Sequence, residues 1–117
     1  MGHERAFKAY QRNAKRRKIG FTLTLEEFTR LVEKPCVFCG THAGGVDRRD
    51  SRLGYYPENS QSCCGTCNRL KSNFQEYFFL SHVDKICRHQ QKKREAKFQP
   101  VVIPNDVQEQ QCQKSVN

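Results

Sequence analysis

The sequence has little that a membrane or secreted protein would need. It contains no tryptophan and no apolar run close to the roughly 18 residues of a membrane span. Its N-terminus, MGHERAFKAYQRNAKRRK, lacks the apolar centre of a secretory signal. These absences predict a soluble, intracellular protein, without distinguishing the nucleus, a nucleoid or a viral factory.

Acidic residues are also scarce. The 12 Asp and Glu stand against 21 Lys and Arg, which leaves a net charge of +9 in 117 residues. An excess of this size in a short chain favours a polyanionic partner, most simply nucleic acid. We therefore expect nucleic acid as the partner, with DNA favoured, and no membrane.

The length suits one compact domain and not two. Hydrophobic residues make up 36% of the chain, so the core is small and needs a covalent or metal staple. Seven cysteines are present, and an odd number in a reducing compartment favours metal binding over disulfides.

Two C-x-x-C pairs supply the ligands for such a staple. Cys36 and Cys39 form one pair, and Cys64 and Cys67 form the other, because Cys64 and not Cys63 has the two-residue gap to Cys67. Four thiolates close a tetrahedral zinc shell and leave no position open for substrate, so the predicted site is structural zinc. A redox role for either pair is the weaker interpretation, since no thioredoxin-like strand precedes it.

Helical periodicity dominates both ends of the chain. Residues 4–18 predict a basic helix that Gly20 ends. A capping box formed by Thr24 and Glu27 predicts a second helix from Leu25 to Glu33. Between Val46 and Tyr56, two short extended pieces surround DSRLG, which has hairpin chemistry.

The segment CCGTCNRLK predicts another helix, and NFQEYFFLSHVDKICRH has the longest periodic pattern. We expect its apolar face to be core; that face comprises Phe74, Tyr77, Phe78, Val83, Ile86 and Cys87. The predicted organisation is a basic helical arm at 1–34, a zinc-bound centre at 35–72, a packed C-terminal helix at 73–97 and a disordered tail at 98–117.

The blocks CVFCG, GVDRRDSRLGYYPEN and CCGTCNRLK stand in an order that resembles the HNH, or ββα-metal, nuclease family. The resemblance covers about residues 30–72 and is strongest to zinc-knuckled phage and large-virus members. It implies a small α+β, zinc-stapled treble-clef (ββα-metal) domain with flanking helices, and a viral or phage origin.

The resemblance also implies a second metal site. In the family, an acidic residue on the first strand and a residue just after the last cysteine hold one divalent cation, which gives Asp47 and Asn68 that role. Carboxylate and amide oxygens suit Mg²⁺ or Mn²⁺. Asn59 takes the place of the residue that orients the catalytic loop. Without the resemblance, Asp47 would pair with Arg49 or cap the hairpin, and Asn68 would cap its helix.

One position departs from the family pattern. The general base of the family is a histidine directly after the metal aspartate, and here that place holds Arg48. A guanidinium has no acceptor and stays protonated, so Arg48 is assigned to phosphate and not to proton abstraction. His42 and Asp50 are the substitutes nearest in sequence. The expected catalytic set is Asp47, Arg48, Asn59 and Asn68.

The basic residues around this centre predict a surface that follows a phosphate backbone. The set comprises Lys15, Arg16, Arg17, Lys18, Arg48, Arg49, Arg52, Arg69 and Lys71.

The sequence thus favours a divalent-metal-dependent DNA endonuclease or nickase. The main alternative is a degenerate HNH-like module that binds DNA or RNA without cutting it, which Arg48 supports. A zinc-stapled protein-interaction domain is a third interpretation, and steeply salt-dependent binding would argue against it. Cutting of both strands would call for a homodimer, and the sequence leaves the oligomeric state open.

Overall fold

The structure, a computed structural model, describes residues 2–97. Its elements, in chain order, are helix α1 (Glu4–Arg16), helix α2 (Leu25–Glu33), strand β1 (Val46–Arg48), a 3₁₀ turn (Pro57–Asn59), strand β2 (Ser60–Ser62), helix α3 (Gly65–Lys71) and helix α4 (Glu76–Lys97). Residues up to Glu76 form one compact unit, and a second unit begins at Tyr77. The α+β fold class expected from the sequence is confirmed.

Local sequence signals set the bounds of the first two helices. The capping box is present: the Glu27 amide donates to Thr24 Oγ1 at 3.1 Å, and the Thr24 amide donates to Glu27 Oε1 at 2.9 Å. α2 begins and ends where the sequence predicts. α1 ends two residues earlier than expected, because Lys18 and not Gly20 adopts the left-handed φ, at 59°.

The core of the first unit lies between α1, α2 and β1. Its buried members are Leu23, Phe28, Val32 and Val46. Aromatic rings from α1 close it: Phe7 and Tyr10 each meet the Phe28 ring edge-on, with centroids 5.5 and 5.1 Å apart. Burying such side chains contributes about 1.5–3 kcal/mol each, so this small cluster holds α1 against the rest of the unit.

The sheet is shorter than the predicted hairpin and pairs differently. β1 and β2 are antiparallel, with Val46 opposite Ser62, Asp47 opposite Gln61 and Arg48 opposite Ser60. The prediction that the extended pieces pair around DSRLG is wrong. Residues 49–59 instead form a long connection, because hydrogen bonds within it and to distant residues replace those of a tight turn.

Two glycines allow that connection to cross the end of the arm. The Tyr55 amide donates to the Gly20 carbonyl at 2.8 Å. A Cβ on Gly20 would lie 2.3 Å from Tyr56 Oη, and one on Gly54 would lie 2.5 Å from the Gly20 oxygen. The clash at Gly54 would be with backbone, so this position requires glycine, whereas the neighbour of Gly20 is the end of a side chain.

α4 does not bury the face that its sequence predicts. Five of the six residues assigned to that face are exposed: Phe74 at 54%, Tyr77 at 75%, Phe78 at 45%, Val83 at 41% and Ile86 at 50%. Cys87 is buried as expected. The prediction fails because residues 77–80 are consecutive apolar residues, and successive residues of a helix point about 100° apart, so they cannot share one stripe.

No helix within residues 2–97 is long and apolar enough to cross a membrane. The predicted tail at 98–117 lies outside the described residues.

Candidate functional site

The four cysteines of the two C-x-x-C pairs meet at one point. Their Sγ atoms all lie within 4.8 Å of one another. The first pair sits in a turn closed by the Gly40 amide, which donates to the Cys36 carbonyl at 2.9 Å. The second pair opens α3, where Cys64 is the N-cap residue and its sulfur accepts from the Cys67 amide. Two separate local structures therefore present four sulfurs to one place.

This cluster fits a tetrahedral metal ion. Cys39 Sγ and Cys64 Sγ lie 3.6 Å apart, close to the edge of about 3.8 Å expected when each sulfur is about 2.3 Å from zinc. Burial alone would raise the pKa of Cys36, but amide donors outweigh it and bring the pKa to about 6. Burial raises the pKa of Cys67. A cation between the sulfurs would supply the charge that keeps all four ionised. The cysteines thus form a candidate site for structural zinc.

A polar pocket of about 150 Å³ is lined in part by Asn68, the residue that follows Cys67 on α3. Asp47, Arg48 and Asn68, which the sequence assigned to the catalytic set, all line it. The remaining lining residues are Arg17, Ser51, Tyr55, Ser72 and Asn73. The pocket therefore brings together one carboxylate, two guanidinium groups, two amides and three hydroxyl groups.

Asp47 is buried, with 5% of its surface exposed, and its carboxylate is heavily hydrogen-bonded. Lys71 Nζ lies 3.3 Å from Oδ2 and 3.4 Å from Oδ1, and Gln61 Nε2 donates to Oδ2 at 3.0 Å. Gln61 Nε2 also donates to Glu76 Oε1 at 3.1 Å. A carboxylate has about four lone-pair directions, so Asp47 keeps acceptor capacity beyond these hydrogen bonds.

Lys71, which the sequence analysis assigned to the basic surface, is instead the charged partner of Asp47. Its side chain is fully buried, and Nζ also donates to the Arg48 carbonyl at 3.2 Å. This placement corrects its assignment to the nucleic-acid-binding set. The helical period could have predicted this burial, because Lys71 follows the clustered Cys67 by four residues on α3 and both side chains therefore point to the same side.

Asn68 is not a helix cap. The N-cap of α3 is Cys64. Asn68 lies inside the helix, where its backbone N–H donates to the Cys64 carbonyl at 3.0 Å. Within residues 2–97, no hydrogen bond is made by its side-chain amide. That amide faces the pocket and is available to a ligand.

The guanidinium of Arg48 is partly hydrogen-bonded to the neighbouring loop. Its Nη1 donates to the carbonyls of Ser51 at 2.7 Å and Leu53 at 2.9 Å, and its guanidinium lies 5.6 Å from the centre of the Tyr55 ring. Arg48 is also one of the residues that line the pocket. Arg48 therefore fastens the connection between the strands as well as presenting positive charge.

The side chain of Asn59 is hydrogen-bonded to the backbone of the connection between the strands. Its Oδ1 accepts from the Asp50 amide at 3.0 Å, and its Nδ2 donates to the carbonyls of Asp50 at 3.1 Å and Gly54 at 2.8 Å. The side chain is buried and lies outside the pocket lining. Its role is thus structural support of residues 50–54.

Neither substitute for the general base lines the pocket. Asp50 accepts from Arg52 Nε at 3.0 Å and Nη2 at 2.9 Å, and these hydrogen bonds hold its pKa well below the ordinary value. His42 is exposed and forms an isolated bridge with Pro35. Among the residues described as lining the pocket there is no histidine, and Asp47 is the one carboxylate.

The other basic residues of the predicted surface are exposed. They are Lys15, Arg16, Arg17, Lys18, Arg49, Arg52 and Arg69. Only Arg17 joins Arg48 in the pocket. Sequence reasoning placed Arg17 in a basic run and gave no sign that it differs from its neighbours.

Comparison with known proteins finds a similar HNH endonuclease among solved structures. No protein-family model matches the sequence. Among solved structures, the rare-cutting HNH restriction endonuclease PacI is similar, with a TM-score of 0.57 and 27% identity; the match covers 67% of this chain and 71% of that one. An uncharacterized protein of Acanthamoeba polyphaga mimivirus is 39% identical over 74 residues, which is 59% of this chain but 14% of that protein.

The likeness to PacI supports the HNH-like resemblance read from the sequence, together with a nuclease-like fold. The chain spans only a small part of its mimivirus relative, which is itself uncharacterized, so that match gives a weak link to viruses and no activity.

Proposed function

We propose that this protein is a nucleic-acid-binding HNH-like nuclease that hydrolyses phosphodiester bonds of DNA with the help of Mg²⁺ or Mn²⁺. The observation that carries the proposal is the pocket that Asp47, Asn68 and two arginines line, in a chain that also has a four-cysteine cluster. The likeness to PacI and the net charge of +9 support DNA as the substrate.

The donor set of the pocket fits a divalent cation. Asp47 and Asn68 offer a carboxylate and an amide oxygen, which are hard ligands suited to Mg²⁺ or Mn²⁺. Asn68 has no hydrogen bond to its side chain within residues 2–97, and Asp47 retains lone pairs. A cation bound there would stabilise negative charge on the phosphate and on the leaving oxygen. Asn59 supports the loop that frames the site.

The positive side chains would hold the substrate. Arg48 presents its free donors to a phosphate oxygen while Nη1 stays on the loop carbonyls. Arg48 cannot accept a proton from water, and no described pocket residue supplies a histidine in its place. Loss of a general base typically costs ~10²–10⁴-fold, so we expect slow hydrolysis.

Nicking of supercoiled plasmid tests the proposal. We expect the purified, zinc-containing protein to nick DNA with added Mg²⁺ or Mn²⁺ and not after dialysis against metal-free buffer. Asn68→Ala removes a proposed ligand whose side chain supports no other described residue, so it should reduce the rate by at least ~10²-fold, beyond the ~10–100-fold typical of outer-shell partners.

Thr66→Ala is the matched control, since Thr66 is exposed on the same helix and lies outside the pocket lining. Equal rates for Asn68→Ala and the native protein would remove Asn68 from the site. The absence of any metal-dependent nicking would contradict the nuclease proposal.

The alternative is a non-cleaving DNA- or RNA-binding module, which the arginine at position 48 favours. Arg48→His separates the two functions, because it introduces an imidazole at the place of the family base. We expect Arg48→His to nick faster than the native protein, by up to the ~10²–10⁴-fold that a general base supplies.

Arg48→Gln is the control, since it also removes the guanidinium but adds no base. Should Arg48→His be no faster than Arg48→Gln, the missing base would not explain slow cutting. Tight, salt-sensitive binding with no nicking by any of the three proteins would favour the binding module.

A further inference from the structure

The pocket is completed by a residue from outside the zinc-bound centre. Arg17 follows the last residue of α1 and lines the same pocket as Asp47 and Asn68. We propose that Arg17 binds the phosphate that enters this pocket, which makes the N-terminal arm part of the reaction site and not only a surface that follows DNA. This inference rests on the proposed function and assigns a specific substrate contact to it.

Arg17 is free to bind an anion. Its side chain is exposed, and within residues 2–97 its guanidinium has no hydrogen-bond or ion-pair partner. Two other arginines are engaged: Arg48, which also lines the pocket, donates to two loop carbonyls, and Arg52 is paired with Asp50. Arg17 therefore offers the pocket a complete guanidinium, whose planar fork matches two oxygens of one phosphate.

The end of α1 fixes the place from which Arg17 reaches the pocket. The Lys18 amide donates to the Lys15 carbonyl at 3.1 Å, and the Ile19 amide donates to the Ala14 carbonyl at 2.7 Å. This pair of hydrogen bonds is the Schellman motif, with Lys18 at the left-handed position that glycine usually takes. Ala14 is 2% exposed, so the motif is anchored in the core.

α1 is also tied directly to the strand that carries Asp47. The Val46 amide donates to Tyr10 Oη at 3.1 Å, and Val46 immediately precedes Asp47 on β1. Burial raises the pKa of Tyr10, as expected for a hydroxyl enclosed between helix and strand. The hydrogen bond and the edge-on packing of Tyr10 on Phe28 couple the arm to the site.

The chain just after Arg17 is hydrogen-bonded to Tyr55, another lining residue of the pocket. Three residues after Arg17, the Gly20 carbonyl accepts from the Tyr55 amide, and the Thr22 amide donates to the Tyr55 carbonyl at 3.0 Å. Tyr55 itself lines the pocket. Arg17 thus approaches the pocket from a backbone that is held on both sides, which favours a defined phosphate contact over diffuse attraction.

The neighbouring residue gives a matched control. Arg16 and Arg17 are adjacent, carry the same charge and are both exposed, but only Arg17 lines the pocket. We expect Arg17→Gln to reduce metal-dependent plasmid nicking by ~10²–10³-fold, the usual effect of removing one donor to a developing charge. Arg16→Gln, which lowers the net charge equally and also removes one cation of the predicted phosphate-following surface, should reduce the rate by a clearly smaller factor than Arg17→Gln.

Binding of a short DNA duplex in metal-free buffer provides a readout that does not depend on cutting. We expect Arg17→Gln to weaken binding more than Arg16→Gln at each of two salt concentrations. Arg17→Lys should recover only part of the loss, because an ammonium cannot make the two parallel hydrogen bonds. Zinc content and thermal melting of each variant establish that the fold is intact.

The outcomes separate this inference from the proposed function. Equal effects of Arg17→Gln and Arg16→Gln on nicking and on binding would overturn the inference, even if the native protein cuts DNA. A native protein that does not cut, with duplex binding weakened selectively by Arg17→Gln, would refute the nuclease proposal and support Arg17 as a phosphate-binding residue.

Discussion

Replacement of Cys36 by serine is expected to abolish cooperative folding of the first unit. Structural zinc contributes ~10–16 kcal/mol in small zinc-binding peptides, whereas whole domains are stable by only ~5–15 kcal/mol. The apolar core here has four fully or nearly buried members, so it cannot replace such a contribution. Circular dichroism melting should show no transition for Cys36→Ser, and the native protein should lose its transition when a strong chelator removes the metal.

Cys63→Ala is the control for this experiment. Cys63 is 1% exposed and packs against the same cluster, but it is not one of the four residues whose sulfurs converge. We expect this variant to keep one zinc per chain by atomic emission and to melt cooperatively. Retained zinc and cooperative melting in Cys36→Ser would show that the four-cysteine assignment is wrong.

The features that the sequence predicts well depend on residues that lie only a few positions apart in the chain. Thr24 and Glu27 define the start of α2, because both partners of the capping box lie within one turn. The two-residue gaps in the cysteine pairs define which sulfurs converge, including the choice of Cys64 over Cys63. Within the capping box and within each cysteine pair, the groups are close in sequence, so their geometry follows from the local backbone.

The features that the sequence does not predict depend on distant contacts. β2 pairs with β1 across a connection held by the side chain of Asn59, and no turn signal in residues 49–59 reveals this. Arg17 looks like its basic neighbours until the Schellman motif and the Gly20–Tyr55 contact place it at the pocket. Charge alone suggests that Lys71 is a surface residue, whereas the structure makes it the buried partner of Asp47.

That buried pair changes how the role of Asp47 has to be tested. Asp47 and Lys71 are 5% and 0% exposed, and their charged atoms lie 3.3 Å apart. Removing one member of a buried pair leaves the other charge without compensation and typically costs ~3–5 kcal/mol. Loss of nicking in a variant of Asp47 alone would therefore not distinguish a missing ligand from an unfolded protein.

We expect Asp47→Asn and Lys71→Met each to lower the free energy of unfolding by ~3–5 kcal/mol. The double variant should lose much less than the sum, because asparagine still accepts from Gln61 and methionine fills the volume of the lysine stem. Urea denaturation of the four proteins at one pH measures the coupling between the two residues. Additive losses would show that the ion pair has no energetic role.

The folded double variant then isolates the chemistry of the carboxylate. It lacks the negative charge that the proposed cation site requires, yet it retains the four clustered cysteines, Asn68 and both pocket arginines. We expect it to bind a DNA duplex and to have lost metal-dependent nicking by at least ~10²-fold, the scale of loss proposed for the Asn68 ligand. Nicking at the native rate would exclude Asp47 as a metal ligand, and the buried pair would then be explained by stability alone.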